Sequence, residues 1–232
     1  FDLGFTLGPR LNAAGRLSDM SLGIRCLLTD SREEALQLAH ELDRMNRERR
    51  TIESGMQETA LASLADIQVG EQASVCLSNP EWHQGVIGIV ASRLKERFHR
   101  PTIIFAPGEE SGKPVLKGSG RSITGFHLRD ALDVISKKHP DLILKFGGHA
   151  MAAGLTIEED SFDLFRTSFE DIAQSLMTEE TLQRQLVHDG YLDPSFMEAE
   201  FGSILNNEVW GQGFPPPVFF GEFEVLSQSL IQ

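Results

Sequence analysis

The sequence predicts an α/β fold in which a mixed sheet is flanked by helices. In the middle of the chain, short apolar runs typical of strands alternate with amphipathic helical patterns. This alternation requires crossover connections, which pair strands in parallel. The length of 232 residues allows one or two domains with hydrophobic cores. A long connecting helix is expected before the α/β region, and the start of a β-rich module is expected after it.

The N-terminal part divides into a glycine-punctuated segment and a long helix. Residues 1–30 contain no complete repeating pattern and are expected to be irregular. Ser31 and Glu34 have the spacing of a capping box, and apolar residues at helical spacing follow to about Leu64. We interpret the segment 31–66 as a helix that connects two lobes.

The region 67–180 carries the predicted sheet. A strand–helix–strand order opens it, so the first two strands are expected to pair in parallel. The expected strands are 74–78, 102–106, 115–123, 142–146 and 155–157, and the expected helices are 86–98, 127–138 and 161–177.

The last part of the chain, 181–232, differs in character. A helix is expected from about Pro194 to Leu205, and a linker rich in proline and aromatic residues follows it. Residues 218–226 then alternate apolar and polar side chains, as a strand does. This pattern predicts the start of a second, β-rich module.

Composition and charge narrow the class of protein. The apolar content of 41% and charged content of 24% are typical of soluble globular proteins, and the longest apolar runs are too short to span a bilayer. Cys26 and Cys76 form neither a CxxC motif nor a disulfide framework, which fits a reducing cytoplasm. The net charge is −13, but 93–145 is basic and the part after 158 is acidic. A local anion site is therefore compatible with the sequence.

Two segments carry side chains suited to phosphate. In a strand, Lys117, Ser119 and Arg121 would share one face. An ammonium, a hydroxyl and a guanidinium in a row suit a phosphate or carboxylate, although the polar face of an edge strand is the alternative. His83 and Gln84 precede a predicted helix, whose free N–H groups and dipole favour anions. Glycines between the strand residues are expected to let a ligand or backbone approach.

Two further segments are candidates. A glycine turn at 147–148 is expected to present His149 to a ligand, as a donor or proton carrier, with a packing turn as the alternative. Arg10 and Arg16 could reach a phosphate or cap a helix. The sequence shows no Asp and His cluster at metal-ligand spacing, no nucleophile elbow and no Walker motif. It offers phosphate-binding parts without visible machinery for cleavage.

Four motifs together resemble one known family. They are LGPRLNAAGRL, NPEWHQGVIGIVASRLKERFHRP, LKGSGRSI and KFGGHAMAAGL. They are similar to segments of the single-stranded-DNA-specific 5′→3′ exonucleases of the DHH phosphoesterase family, over about residues 1–217. The resemblance implies a DHH-associated nucleic-acid-binding domain at 67–180. It also implies a DHH-domain remnant at 1–30 and the truncated start of an OB-like domain within 181–232.

The resemblance also implies which side chains contact DNA. The set is Arg10, Arg16, His83, Gln84, Lys117, Ser119, Arg121 and His149. Ser119 and Arg121 would hold the 5′-terminal phosphate, while His149 would line the DNA path. Either Arg10 or Arg16 would complete the phosphate grip.

The expected function is the DNA-binding part of an exonuclease of repair and recombination. In the family, Mn²⁺ or Mg²⁺ ions activate water for phosphodiester hydrolysis. The DHH domain that binds them lies outside this chain, so this chain alone is expected to bind no metal and to be inactive. The resemblance implies single-stranded DNA as the partner, together with a single-stranded-DNA-binding protein and a RecQ-type helicase, and no membrane. A stand-alone nucleic-acid-binding module and a DHH-type oligonucleotide or dinucleotide phosphodiesterase are the alternatives.

Overall fold

The computed structural model describes residues 2–65, 72–211 and 213–229, which form two compact units, Phe1–Gln183 and Arg184–Gln232. The predicted fold class, a mixed sheet flanked by helices, is confirmed. No described helix has both the length and the apolar character needed to cross a membrane. The first unit contains a π-helix (Asp2–Leu7), α1 (Gly8–Leu17), α2 (Ser21–Leu28), α3 (Arg32–Ala65), β1 (Val75–Ser78), α4 (Ile87–Phe98), β2 (Thr102–Glu110), β3 (Lys113–Arg121), α5 (Leu128–Lys138), β4 (Lys145–Gly148), β5 (Ala152–Ile157), a 3₁₀ turn (Glu159–Ser161), α6 (Phe162–Leu176) and α7 (Glu179–Leu182).

The N-terminal segment is helical, so the expectation of an irregular chain at 1–30 was wrong. Pro9 occupies the first turn of α1, where its missing N–H costs no helical hydrogen bond. Ala13 and Ala14 are fully buried and pack in one cluster with Leu42 and Met45 of α3. This tertiary packing outweighs the low helix propensity of the glycines, which the sequence pattern alone does not reveal.

The predicted long helix is present as α3, which lies within the first compact unit; its role as a connector between two lobes stays a prediction. The backbone N–H of Glu34 donates to the Ser31 hydroxyl at 3.3 Å, as the capping pattern predicts. The first half of α3 packs on α1 and α2, and its second half packs on α4, with Met56 and Ala60 buried in that second contact. Residues 66 and 67, where the predicted helix ends and the predicted domain begins, lie outside the described residues.

The sheet has the strand order β1-β2-β3-β5-β4. The predicted parallel pair, β1 and β2, is confirmed, and the other three pairs are antiparallel. β2 and β3 form a hairpin through Ser111 and Gly112, which both have positive φ, as a type I′ turn requires. β2 extends past its predicted end at 106 and includes Pro107. β1 pairs with β2 only as far as Phe105. Pro107 therefore holds an edge position, where proline is tolerated.

The predicted strand at 142–146 is displaced. β4 begins at Lys145 and contains both glycines, whereas Leu142 and Ile143 form a buried connection after α5. These two side chains are apolar because they fill the core beside α5 and α6, not because they lie in the sheet.

The two faces of the sheet are covered differently. α5 and α6 cover one face, where Phe105, Phe165 and Phe169 are fully buried. α4 and the second half of α3 cover part of the other face, at β1 and β2. On this second face, β3, β5 and β4 are covered only in part. This partly open surface carries the candidate site.

The second unit is sparse in regular structure. The predicted helix at 194–205 is split into a 3₁₀ turn (Pro194–Phe196) and α8 (Ala199–Asn207). Residues 218–226 form no strand in the described chain, so that prediction was wrong; Phe220 makes one isolated bridge with Tyr191. A strand needs a partner along its length, and alternation in sequence does not supply one.

Candidate nucleic-acid interface

Lys117, Ser119 and Arg121 lie on one face of β3, as predicted. Gly118 and Gly120 between them face the opposite side, where a Cβ on Gly118 would lie 2.5 Å from the Phe105 ring. The expectation that these glycines admit a ligand was therefore wrong, because core side chains fill the space. Their role is to let β3 pack tightly on one face while it presents three polar side chains on the other.

The sheet face beside these polar residues is open. β5 pairs with β3 so that Gly154 lies beside Ser119 and Ala152 lies beside Arg121. Gly154 and its neighbour on β4, Gly147, are both exposed. A Cβ on Gly147 would meet nothing within 4 Å, so local packing does not require glycine there. The two glycines leave a shallow floor that another molecule can approach closely.

Arg121 is half-buried and held in place by its own strand. Its Nη1 donates to the Ser119 hydroxyl at 3.1 Å and to the Gly120 carbonyl at 2.8 Å. The first turn of α4 lies against this pair, because a Cβ on Gly88 would lie 2.9 Å from both Ser119 Oγ and Arg121 Nη2. Only a residue without a side chain leaves this space free.

Arg16 is the second cation of the site. Burial lowers the pKa of Arg121, and the charge of Arg16 lowers it further, which places two guanidinium groups near each other. In the part of the chain that the structure describes, no carboxylate forms an ion pair with either of them. A guanidinium group carries a permanent positive charge in proteins. A bound anion would relieve their mutual repulsion.

A close contact between distant segments positions Arg16. Its Nη1 donates to the Gly85 carbonyl at 3.1 Å. A Cβ on Gly85 would lie 2.0 Å from the Arg16 carbonyl oxygen, so only glycine permits this approach. Arg10 is differently engaged, since its Nε is paired with Asp43 at 2.9 Å and its Nη1 donates to the Thr6 carbonyl. The structure therefore brings Arg16, and not Arg10, to the cluster.

The segment before α4 adds backbone donors. Val86 occupies the N-cap position, and no described side chain caps this helix end. The Val86 and Ile89 N–H groups donate to the His83 and Val86 carbonyls, so the N–H groups that could serve an anion are those of Ile87 and Gly88. The His83 ring accepts a hydrogen bond from the Gly85 N–H at 3.0 Å and so shapes the turn. Gln84 is exposed beside it. Trp82 is only 6% exposed and packs in the core, which excludes it as a surface for base stacking.

Lys117 points away from the cluster. Its Nζ bonds to the Glu110 carboxylate and lies 3.4 Å from Thr156 Oγ1. The hydrogen bond from Lys117 lowers the pKa of Glu110, and the charges of Lys117 and Lys145 act in the same direction. Shared strand face alone therefore does not place Lys117 at the same anion as Arg121.

His149 lies at the tip of the β4–β5 hairpin and is exposed, as expected, but the glycines at 147–148 lie in β4 and the turn follows them at 149–151, so the expected glycine turn was wrong. Gly148 has φ of +146°, and a Cβ there would lie 2.4 Å from the Ala152 carbonyl, so glycine is required. The His149 N–H donates to that same carbonyl at 2.8 Å. Because Ala152 pairs with Arg121, the hairpin tip lies at the same end of the sheet as the arginine cluster.

The arrangement can bind an anion but offers no metal centre. The described ranges contain no group of three or more His, Cys, Asp or Glu side chains that could hold a metal ion. No sequence pattern singled out Gly88 or Gly154 as part of the site, although both lie within the motifs that carry the family resemblance. Two arginines, a hydroxyl and a helix start without a side-chain cap lie beside an open glycine floor, and their charge and donors suit a phosphate.

Comparison with known proteins shows what this chain resembles. Residues 70–175 match the DHHA1 domain. The chain is 50% identical over 234 residues to the single-stranded-DNA-specific exonuclease RecJ of Escherichia coli K12, over 99% of this chain and 40% of that protein. It is 34% identical to the same-named protein of Thermus thermophilus, over 94% of this chain and 30% of that protein. Over nearly its whole length the chain is therefore similar to part of these RecJ proteins.

Solved structures show the same similarity. The crystal structure of RecJ from Thermus thermophilus with Mg²⁺ matches with a TM-score of 0.78 at 34% identity, over 94% of this chain and 32% of that chain. A structure of exonuclease RecJ bound to manganese matches with a TM-score of 0.62 at 36% identity, over 75% of this chain and 41% of that chain. The chain spans about two fifths of the length of the first curated relatives, since 40% of each is covered.

Proposed function

We propose that this chain is the DNA-binding part of a RecJ-type 5′→3′ exonuclease that acts on single-stranded DNA in repair and recombination. The observation that carries the proposal is the proximity of Arg16 to Arg121, which is hydrogen-bonded to Ser119, beside a start of α4 that no described side chain caps. We assign the 5′-terminal phosphate to this cluster.

The cluster suits a terminal phosphate better than an internal one. A phosphate monoester carries a charge of about −1.5 to −2 at neutral pH and three acceptor oxygens, whereas an internal phosphodiester carries a single charge. Two guanidinium groups without a carboxylate partner in the described chain favour the more highly charged group. A grip on the terminal phosphate would fix the end from which nucleotides are removed, and so would set the polarity of digestion.

The strand behind the 5′ end would cross the open glycine floor. His149 lies at the tip of the hairpin that carries this floor, and Gln84 lies beside Gly108 of β2 on the same sheet face; both are exposed. We assign them contacts with the strand backbone, with His83 holding the turn that carries Gln84. Since Arg10 is paired with Asp43, we assign it to the support of α1 and not to the phosphate.

Hydrolysis would take place at Mn²⁺ or Mg²⁺ ions, which would polarise phosphate oxygens and activate water. The described residues do not fit such ions, so we place them in a DHH domain of the longer protein. This chain then positions DNA without cleaving it. A single-stranded-DNA-binding protein and a RecQ-type helicase are the proposed partners, and the cytoplasm is the proposed location.

Titration of matched oligonucleotides tests the proposal. The chain should bind 5′-phosphorylated single strands more tightly than 5′-hydroxyl strands of the same sequence, with affinity that falls as salt rises. Arg121→Ala should abolish this preference. Arg129→Ala removes the same charge from an exposed position on α5, on the other side of the sheet, and should leave the preference intact. Equal losses for both strand types in Arg121→Ala would remove Arg121 from the phosphate clamp.

A further inference from the structure

The turn before α4 holds the Arg16 side chain through a backbone carbonyl. Arg16 Nη1 donates to the Gly85 carbonyl at 3.1 Å. A Cβ on Gly85 would lie 2.0 Å from the Arg16 carbonyl oxygen and 2.9 Å from its carbonyl carbon. Both the side chain and the main chain of Arg16 therefore contact the same residue of the turn, and the direction of the side chain depends on the position of Gly85.

His83 fixes Gly85 from the other side. The His83 ring accepts a hydrogen bond at Nδ1 from the Gly85 N–H at 3.0 Å, and the His83 carbonyl accepts one from the Val86 N–H at 3.0 Å. These two bonds orient the peptide groups before and after Gly85, and the second of these groups carries the carbonyl that Arg16 uses. Because a neutral imidazole accepts at one ring nitrogen only, the ring proton belongs on Nε2.

The same short segment contacts both cations of the site. Gly85 contacts Arg16, and Gly88 lies against Arg121, since a Cβ there would be 2.9 Å from Arg121 Nη2. Like charges repel, and Arg16 is exposed and acts on the charge of Arg121, so an Arg16 side chain that nothing held would turn towards solvent. The Gly85 carbonyl holds this side chain without cancelling its charge, as a carboxylate would.

We propose that His83 is a positioning residue for the 5′-terminal phosphate: through Gly85 it holds Arg16 beside Arg121 before DNA binds. This inference rests on the proposed function. An arginine side chain loses rotamer freedom when it binds a ligand, and a side chain that is already held in place loses less. His83 therefore strengthens recognition of the phosphate without contacting it.

Two amide variants separate this role from a direct contact of the ring with DNA. An asparagine side chain accepts a hydrogen bond from the backbone N–H two residues further on, as Asn79 does from Glu81 at 2.9 Å. His83→Asn therefore replaces Nδ1, whereas in His83→Gln the longer side chain carries its amide towards the place of Nε2–H. His83→Gln should lower the preference for 5′-phosphorylated over 5′-hydroxyl single strands about threefold to tenfold, while His83→Asn should keep it within about twofold.

Two further measurements in the full chain serve as controls. His139→Gln changes a half-buried histidine at the end of α5, on the other side of the sheet, and should leave the preference unchanged. In Arg16→Ala, the further change His83→Gln should not weaken binding of the phosphorylated strand, because the cation that His83 positions is gone. Thermal unfolding monitors the fold of each variant.

The outcomes distinguish the positioning role from the proposed function. A loss of the preference in a folded His83→Asn chain overturns the role, whatever His83→Gln does, so the test holds even if His83→Gln fails to fold. The role is also wrong if folded His83→Gln keeps the native preference, or if it weakens binding equally in the Arg16→Ala background. If instead the native chain shows no preference for a 5′ phosphate and Arg121→Ala changes nothing, the proposed function itself fails.

Discussion

Replacing Gly88 by alanine would fill the phosphate site without removing any of its charges. The new Cβ would lie 2.9 Å from Arg121 Nη2 and from Ser119 Oγ, which is closer than real Cβ atoms tolerate. The far end of the arginine side chain would have to move away, and this movement is cheap for folding. Alanine also has the higher helix propensity, by about 0.8–1.0 kcal/mol in a helix interior, so α4 should remain formed.

The expected loss of binding follows from the contact that is displaced. A hydrogen bond to a charged group contributes about 1.5–3 kcal/mol, which corresponds to a weakening of about 10- to 150-fold for 5′-phosphorylated strands. Binding of 5′-hydroxyl strands should change much less, because the displaced contact is made to the terminal phosphate. Gly88→Ala and Arg121→Ala act on the same contact. In the double variant, Gly88→Ala should therefore add little to the loss of binding caused by Arg121→Ala.

Fluorescence anisotropy with the two oligonucleotides at fixed low salt measures this loss, and thermal unfolding monitors the fold. Gly55→Ala is the matched control, because a Cβ on Gly55 in α3 would meet nothing within 4 Å; it should leave binding unchanged. Native affinity for the phosphorylated strand in a folded Gly88→Ala chain would refute the assignment of the site to the start of α4.

Three further changes separate packing from binding. Gly148→Ala should destabilise the hairpin by about 1–3 kcal/mol, because its φ of +146° and the Ala152 carbonyl at 2.4 Å exclude a side chain; Gly147→Ala, which meets nothing, should keep the melting temperature but weaken strand binding. Glu170→Gln should cost about 1–3 kcal/mol in urea unfolding, since this carboxylate accepts three hydrogen bonds from 73–74, whereas exposed Glu179→Gln should cost little. His149→Ala should weaken strand binding without a change in melting temperature; unchanged binding would leave His149 outside the DNA path.

The order and type of the central elements were predictable because each depends on local pattern. The capping residues before α3, the apolar periodicity of α4 and the alternation of β3 are all properties of short windows. The helices at the N-terminus were not, because Ala13 and Ala14 are stabilised by Leu42 and Met45, about 30 residues away. For the same reason, 218–226 reads as a strand although the described chain supplies it only one bridge.

The sequence was sufficient to predict which residue types form the candidate site. It was not sufficient to predict which of these side chains contact each other. The shared face of Ser119 and Arg121 follows from strand geometry alone. The choice between Arg10 and Arg16 depends on a hydrogen bond to Gly85, 69 positions from Arg16. The direction of the Lys117 side chain likewise depends on Gly108 in the neighbouring strand β2, where a Cβ would lie 2.6 Å from Lys117 Cγ. No local pattern in β3 indicates this direction.

The contact between the Arg16 carbonyl and Gly85 brings together two parts of the chain that are far apart in sequence. The candidate site needs both parts. Residues 70–175, which match the DHHA1 domain, contain Arg121 but not Arg16. If that domain were transplanted alone, it would carry the sheet, the helix start and only one of the two cations. We expect the isolated domain to lack the proposed recognition of a 5′ phosphate. A hybrid protein designed to have this recognition must also include α1 and the first half of α3, which packs against α1.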